Sequence, residues 1–224
     1  MRTLVGFDMD GVILDSDRPG DTWFRDSFVR TLTDFDLAPT EENTRALYIS
    51  SMRDNSTVVC EKWGIDDPHL LWKRRDENYI AYKLASLESG EIRLFPDAGV
   101  LVQLSERYPL GLISNSPQAV VDRVIERFAL ERVFGVWLGR GDTLLELRFA
   151  KPSPAMLLAM MDRLHTTRGY YVGDGPEDIE AARAAGLIPI HISRNNDDGD
   201  IRSLDELPGL IANDVRQRCV MSDQ

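Results

Sequence analysis

Cysteine is scarce in this chain: there are two, Cys60 and Cys219, far apart and without the close spacing of a metal knuckle or a redox pair. That supports neither a disulfide framework nor a cysteine-ligated metal, and both thiols read as bystanders in a reducing compartment. Lysine is scarce too among the charged residues. Of 26 basic residues only Lys62, Lys73, Lys83 and Lys151 are lysines, a bias that suits a GC-rich genome or a high-salt setting. Positive charge is also lacking, since 26 basic against 37 acidic residues leave a formal charge of −11. Sequence-independent binding of nucleic acid needs a basic face, so it is not expected here, and an anionic substrate would need a local positive site. No run approaches the roughly 18 apolar residues of a membrane span, and the N-terminus opens on a strand rather than a signal peptide. The expectation is a cytoplasmic protein with neither a membrane nor a nucleic-acid partner.

What is present is an ordinary soluble composition, 43% hydrophobic and 28% charged over 224 residues, enough for one large domain or a core with an insertion. The stretch around which the rest is organised is Leu4-Val5-Gly6-Phe7-Asp8-Met9-Asp10-Gly11-Val12. A short apolar strand delivers two carboxylates, one residue apart, into a turn opened by Gly11. Carboxylates are costly to bury, so such a pair fits a polar crevice with a cation better than a core.

From Ser16 to about residue 94 the signals are helical. Trp23, Phe24, Phe28 and Leu32 recur at helical spacing, Thr40 is a candidate cap, and Asn55 to Trp63 reads as a helix stopped by Gly64. Asp67 with Pro68 opens a further helix running to Gly90. Beyond Phe95 strands and helices alternate. Leu110 to Ile113 is a buried-type strand ending in Ser114-Asn115-Ser116-Pro117, with Ser116 read as the cap of the next helix and Pro117 as its first residue. Val133 to Leu138 is a third strand. Gly139 to Ala150 is irregular and leads to Lys151-Pro152 and a helix whose Met156, Met160 and Met161 read as core. Gly169 to Val172 is a strand running into Gly173-Asp174-Gly175-Pro176-Glu177-Asp178, and Pro189 to Ile192 is the last strand. Asn195 to Asp200 reads as a surface loop. The pattern predicts an α/β fold: a Rossmann-like parallel sheet core flanked by helices, residues 1–15 and 95–224, with an inserted small all-helical cap domain, residues 16–94.

Ligands on such sheets bind outside the carboxyl ends of the strands. Asp8 and Asp10, Ser114 and Asn115, Asp174 and Asp178 all fall there, and Lys151 precedes a helix. Together they suit phosphoryl transfer: an aspartate to attack phosphorus, a second carboxylate to move protons, a hydroxyl and an ammonium to hold phosphate oxygens, and acidic groups for Mg²⁺. Asp8-x-Asp10-Gly-Val, strand-Ser114-Asn115, Lys151-Pro152 and Gly173-Asp174-x-x-x-Asp178, in that order, resemble the four motifs of the haloacid dehalogenase superfamily. The insertion after the first motif resembles the small-cap, phosphoglycolate-phosphatase-like branch.

The resemblance implies Asp8 as nucleophile and Asp10 as general acid and base, with the Asp10 backbone carbonyl, Asp8, Asp174 and Asp178 around Mg²⁺. It also implies that Ser114, Lys151 and the Asn115 backbone hold the phosphoryl group. Arg53, in the polar run Ser50 to Asn55 between two cap helices, is the candidate for the leaving group. Plainer uses stand beside three of these: Asp178 as a favourable charge in a helix's first turn, Asn115 as a cap, and Arg53 as a solvated side chain. The three histidines, His69, His165 and His191, fall outside the motifs. Asp10 favours phosphate over halide chemistry, because carbon–halogen cleavage needs no proton on an oxygen leaving group. The expected activity is Mg²⁺-dependent hydrolysis of a small phosphate ester such as phosphoglycolate. A sugar phosphomutase of the β-phosphoglucomutase type is the alternative enzyme, and a receiver-type phospho-acceptor domain the alternative outside catalysis.

Overall fold

A computed structural model describes residues 2–18, 20–196 and 198–222, with side chains described through residue 214. Pro19, within the predicted turn, Asp197, within the predicted loop, and the Cys219 side chain fall outside these described parts. Strand β1 (Leu4–Phe7) is followed by a two-residue β2 (Leu14–Asp15), then by four helices: α1 (Trp23–Asp34), α2 (Glu41–Ala46), α3 (Ile49–Trp63) and α4 (Pro68–Ser89). Strand β3 (Arg93–Leu94) pairs antiparallel with β2 and closes the insertion at its base. The remainder alternates: α5 (Val100–Ser105), β4 (Leu110–Pro117), α6 (Gln118–Arg127), β5 (Val136–Arg140), α7 (Ala155–Arg163), β6 (Gly169–Gly173), α8 (Pro176–Ala184), β7 (Ile188–His191) and α9 (Leu207–Ser222).

The five longer strands form one parallel sheet in the order β5-β4-β1-β6-β7, so β1 is central. Successive side chains point to opposite faces. Val5, Phe7, Leu110, Leu112, Tyr170 and Val172 fall in one core cluster, and Leu4, Ile113 and Tyr171 in the other. The second cluster is completed by α7, whose Met156, Met160 and Met161 are all buried, as the stripe predicted. Gly111 on β4 makes room for this helix: a Cβ there would lie 2.3 Å from the Met160 sulfur. The first cluster runs without a break into the insertion, through Phe28, Leu71 and Trp72.

Helix ends follow the sequence signals where those signals are local. Thr40 accepts from the Asn43 N–H, Asp67 accepts from the His69 N–H, and Gly64 and Gly90 end their helices in left-handed conformation. Three readings are corrected. The polar run Ser50 to Asn55 is not a connection between helices but the first half of α3, which kinks at Asn55 (φ −137°). Ser116 does not cap α6: β4 continues through Pro117, and the Ser116 hydroxyl is drawn to charged partners. The third strand lies at Val136–Arg140 rather than Val133 to Leu138, because Leu130–Arg132 forms a 3-10 turn. Among the described residues no helix is long and apolar enough to cross a membrane.

Candidate active site

Strand β1 is buried on both sides, and the Asp8 N–H donates to the Val172 carbonyl at 2.8 Å, so the aspartate leaves the sheet at its carboxyl edge. Gly11 (φ +74°) makes the turn that follows, packed so closely on Asp174 that a Cβ would lie 2.0 Å from its Oδ2. Arg194 fixes that turn from the far side. Its Nε donates to the Gly11 carbonyl at 3.1 Å, its Nη2 donates to Val12, and its guanidinium stacks on Phe95 and pairs with Asp97 at 2.9 Å.

Lys151 is the hub. Its buried Nζ donates to Asp8 Oδ1 and Asp178 Oδ1, each at 2.5 Å, and to the Tyr171 hydroxyl at 3.1 Å. Its main chain is gripped by Asn115, whose Nδ2 donates to the Lys151 carbonyl at 3.0 Å and whose Oδ1 accepts from the Lys151 N–H at 2.8 Å. Asp178 is buried in the first turn of α8 and accepts the Gly175 N–H at 3.1 Å through its other oxygen. Asp8, Asp174 and Asp178 each offer an oxygen within 4.8 Å of the others. Three carboxylates against one ammonium leave a formal charge of −2, the match for one divalent cation, and the donors are the hard oxygens Mg²⁺ prefers.

Without a cation between them, the crowded carboxylates oppose one another's ionisation. Burial pushes the Asp8 carboxyl well above the ordinary range, Lys151 pulls it back, and Asp178, Asp174 and Asp10 push it further up. Asp174 is pushed up to about 6, first by partial exclusion of its carboxyl from water and then by the charge of Asp178. Burial pulls the Lys151 ammonium down, but Asp8, Tyr171 and Asp178 more than reverse this and hold it well above its usual value.

Asp10 stands apart from this group. Its Oδ1 accepts from the Ser16 hydroxyl at 2.8 Å, its Oδ2 accepts from the Ser116 hydroxyl at 3.1 Å, and both take the Lys83 ammonium, at 2.7 and 2.6 Å. Burial works against its ionisation, but the charge and hydrogen bond of Lys83, with Ser16 and Ser116, outweigh it and leave the carboxyl below its usual value. Ser114 is buried at the end of β4, where its Oγ accepts the Ser116 N–H at 3.0 Å. Arg53 is paired with Asp54 at 2.7 Å. It helps line a cavity of about 290 Å³ between insertion and core, walled by Phe24 and Tyr48 on one side and by Asn115, Lys151 and Glu177 on the other.

Four contributors were not singled out from the sequence. Lys83 and Ser116 were assigned no chemistry, Tyr171 was read only as part of a strand, and Arg194 lies beside a segment read as surface loop. His191 also comes closer than expected, its Nε2 lying 3.2 Å from the Asp174 carbonyl. A usable signal existed for Lys83: in so lysine-poor a chain, it sits between Tyr82 and Leu84 on a helix that must face the core.

Residues 3–186 match the family model described as haloacid dehalogenase-like hydrolase, and the chain belongs to that family. A phosphoglycolate phosphatase of Yersinia pestis is 29% identical over 187 residues, covering 81% of this chain and 77% of its own. Among solved structures, a HAD phosphatase from Thermococcus onnurineus superposes with a TM-score of 0.60 at 21% identity, covering 93% of this chain and 97% of that one. A HAD hydrolase of family IA, variant 3, from Entamoeba histolytica gives 0.65 at 18% identity, over 86% and 85%.

Proposed function

We propose that this haloacid dehalogenase-like hydrolase cleaves a small phosphate monoester by way of a phosphorylated Asp8. The observation that carries the reading is the buried contact of Asp8 with Lys151, beside the carboxylates of Asp174 and Asp178 at the open edge of the sheet. In this reading an Asp8 oxygen attacks phosphorus in line with the ester oxygen and the P–O ester bond breaks; Asp10, ionised beside Lys83 in the resting site, first takes up a proton from the incoming phosphate monoanion or from solvent and hands it to the departing oxygen. Asp10 then takes a proton from water, which attacks the phosphorus of the acyl phosphate and releases inorganic phosphate and free Asp8. Ser114 and Lys151 hold the non-reacting phosphoryl oxygens, and Asn115 keeps Lys151 in place. A Mg²⁺ ion held by Asp8, Asp174, Asp178 and the Asp10 backbone carbonyl would neutralise the carboxylates and polarise the phosphoryl group.

The cap, residues 16–94 in this reading, bounds the leaving-group cavity. That cavity lies at the small end of the ~300–1,000 Å³ typical of ligand pockets, which favours a small metabolite. Phosphoglycolate is the first candidate, on the strength of the Yersinia pestis relative, with Arg53 contacting the leaving group. The test is phosphate release from a panel of phosphomonoesters, with Mg²⁺ or with chelator, by wild type and Asp8→Asn. Activity should need the metal and fall to background in the variant. Activity surviving both changes would overturn the mechanism.

A further inference from the structure

One buried cation next to the site has no part in the chemistry above. Lys83 is 1% exposed, yet it sits on α4 of the insertion and reaches across to the core. Its Nζ touches both oxygens of Asp10, the Ser116 hydroxyl at 2.9 Å and the Tyr79 hydroxyl at 3.2 Å, and lies over the Trp23 ring at 5.3 Å. Burying an ammonium costs several kcal/mol before any partner is counted, and a methionine would fill similar space without that cost. Packing alone therefore does not account for a lysine at this position.

The helix that carries it is held in register by three further contacts from the same face. Trp72 Nε1 donates to the Asp142 carbonyl at 2.9 Å, Asp76 accepts from Arg140 at 3.0 Å, and the Tyr79 hydroxyl meets Ser116 Oγ at 3.0 Å. Positions 72, 76, 79 and 83 follow at steps of four, three and four, a single stripe along a helix. Their partners stand at the ends of β5, β4 and β1. The seated stripe thus delivers the Lys83 ammonium to one fixed point, where Ser16 and Ser116 donate the other hydrogen bonds to the Asp10 carboxylate.

We propose that Lys83 is a positioning residue for the acid–base step, orienting the Asp10 carboxylate from the helical insertion, so that the insertion completes the proton-transfer group as well as bounding the site. This rests on the acid–base reading of Asp10 given above. An Asp10 released from Lys83 keeps, among the described residues, the Ser16 and Ser116 hydroxyls as side-chain clamps and samples other rotamers, so the penalty falls on the steps that move a proton and not on binding.

The experiment is a double-mutant cycle of Lys83→Met and Asp10→Asn, with Lys83→Arg added, and thermal melting of each protein to confirm folding. Each is assayed on p-nitrophenyl phosphate and on the best alkyl phosphate found in the substrate panel. Lys83→Met should lower kcat on the alkyl phosphate by at least about tenfold, with KM within about twofold. The loss in kcat/KM, which reads the ester-cleaving step, should be smaller on p-nitrophenyl phosphate, whose leaving group needs no proton, while the shared attack of water lets kcat fall on both. Lys83→Arg should recover part of the activity, and Lys83→Met should cost nothing further once Asp10 is Asn. Equal losses of kcat/KM on both substrates, or a full additional loss in the Asp10→Asn background, would show a structural role and overturn the assignment. If Asp10→Asn is inactive while Lys83→Met matches wild type, only the Lys83 assignment fails. If Asp10→Asn is itself fully active, the acid–base reading fails, and the assignment with it.

Discussion

Asn115 shows how much a single residue does here without touching the reacting atoms. Its amide both donates to and accepts from the main chain of Lys151, closing a ring that fixes where the ammonium stem begins. Each such hydrogen bond contributes roughly 0.5–1.5 kcal/mol to stability, so Asn115→Ala should cost about 1–3 kcal/mol of folding energy. Its kinetic effect should be the larger one. With Lys151 free to shift, kcat is expected to fall by about tenfold or more, since small misplacements of a positioned group are expensive. Steady-state kinetics beside urea unfolding separates the two, and an unchanged kcat in a folded Asn115→Ala protein would remove the positioning role. Asn115 was legible as a candidate because it follows a strand in a polar run. Its partner was not, because 36 residues separate it from Lys151 and only the sheet brings them together. Ser116 was misread for a related reason: a serine before Pro117 carries every local mark of a cap, and the pull of Asp10 and Lys83 is invisible in the local sequence.

Among the elements, α4 and the segment after β5 belong together. Gly139 to Ala150 looked irregular because its order comes from distant contacts together with a short 3-10 turn, Leu144–Phe149, capped by Thr143. Arg140 pairs with Asp76, the Asp142 carbonyl takes the Trp72 indole, and Glu146 accepts both the N–H and the hydroxyl of Thr143. Asp76 is shared between Arg75 and Arg140, both buried. Removing the shared carboxylate strands two guanidinium groups, so Asp76→Asn should destabilise the fold by about 3–5 kcal/mol. Arg140→Met should cost less, since Asp76 keeps Arg75 and the Arg140 Nε already lacks a partner. Urea midpoints of the two variants check this, and the reverse order would mean that Asp76 is not the shared anchor. The helices of the insertion were legible wherever Pro, Gly, Asp or Thr marked an end. The docked face of α4 was not, because Trp72, Asp76, Tyr79 and Lys83 mix apolar and charged residues on one stripe and so defeat a search for an apolar face.

At the scale of the whole molecule, the sheet order is what gives the sequence its meaning. With β1 central between β4 and β6, three neighbouring strands carry Asp8, Ser114 and Asp174 toward one edge; the alternation of strand and helix was enough to expect the shared edge, but not the strand order. The pairing β2 with β3 was not expected. Two-residue strands carry almost no periodic signal, yet they gather both ends of the insertion beside Asp10. In the proposed mechanism the chain is arranged around one event, the passage of the phosphoryl group to Asp8. It is tested most directly by acid-quenching wild type during turnover of its best phosphate ester, digesting the protein, and locating the added phosphoryl mass by peptide sequencing in a mass spectrometer. The expected result is one phosphoryl group on Asp8, absent from Asp8→Asn; a phosphoryl group on Ser114 or another side chain during turnover would contradict it.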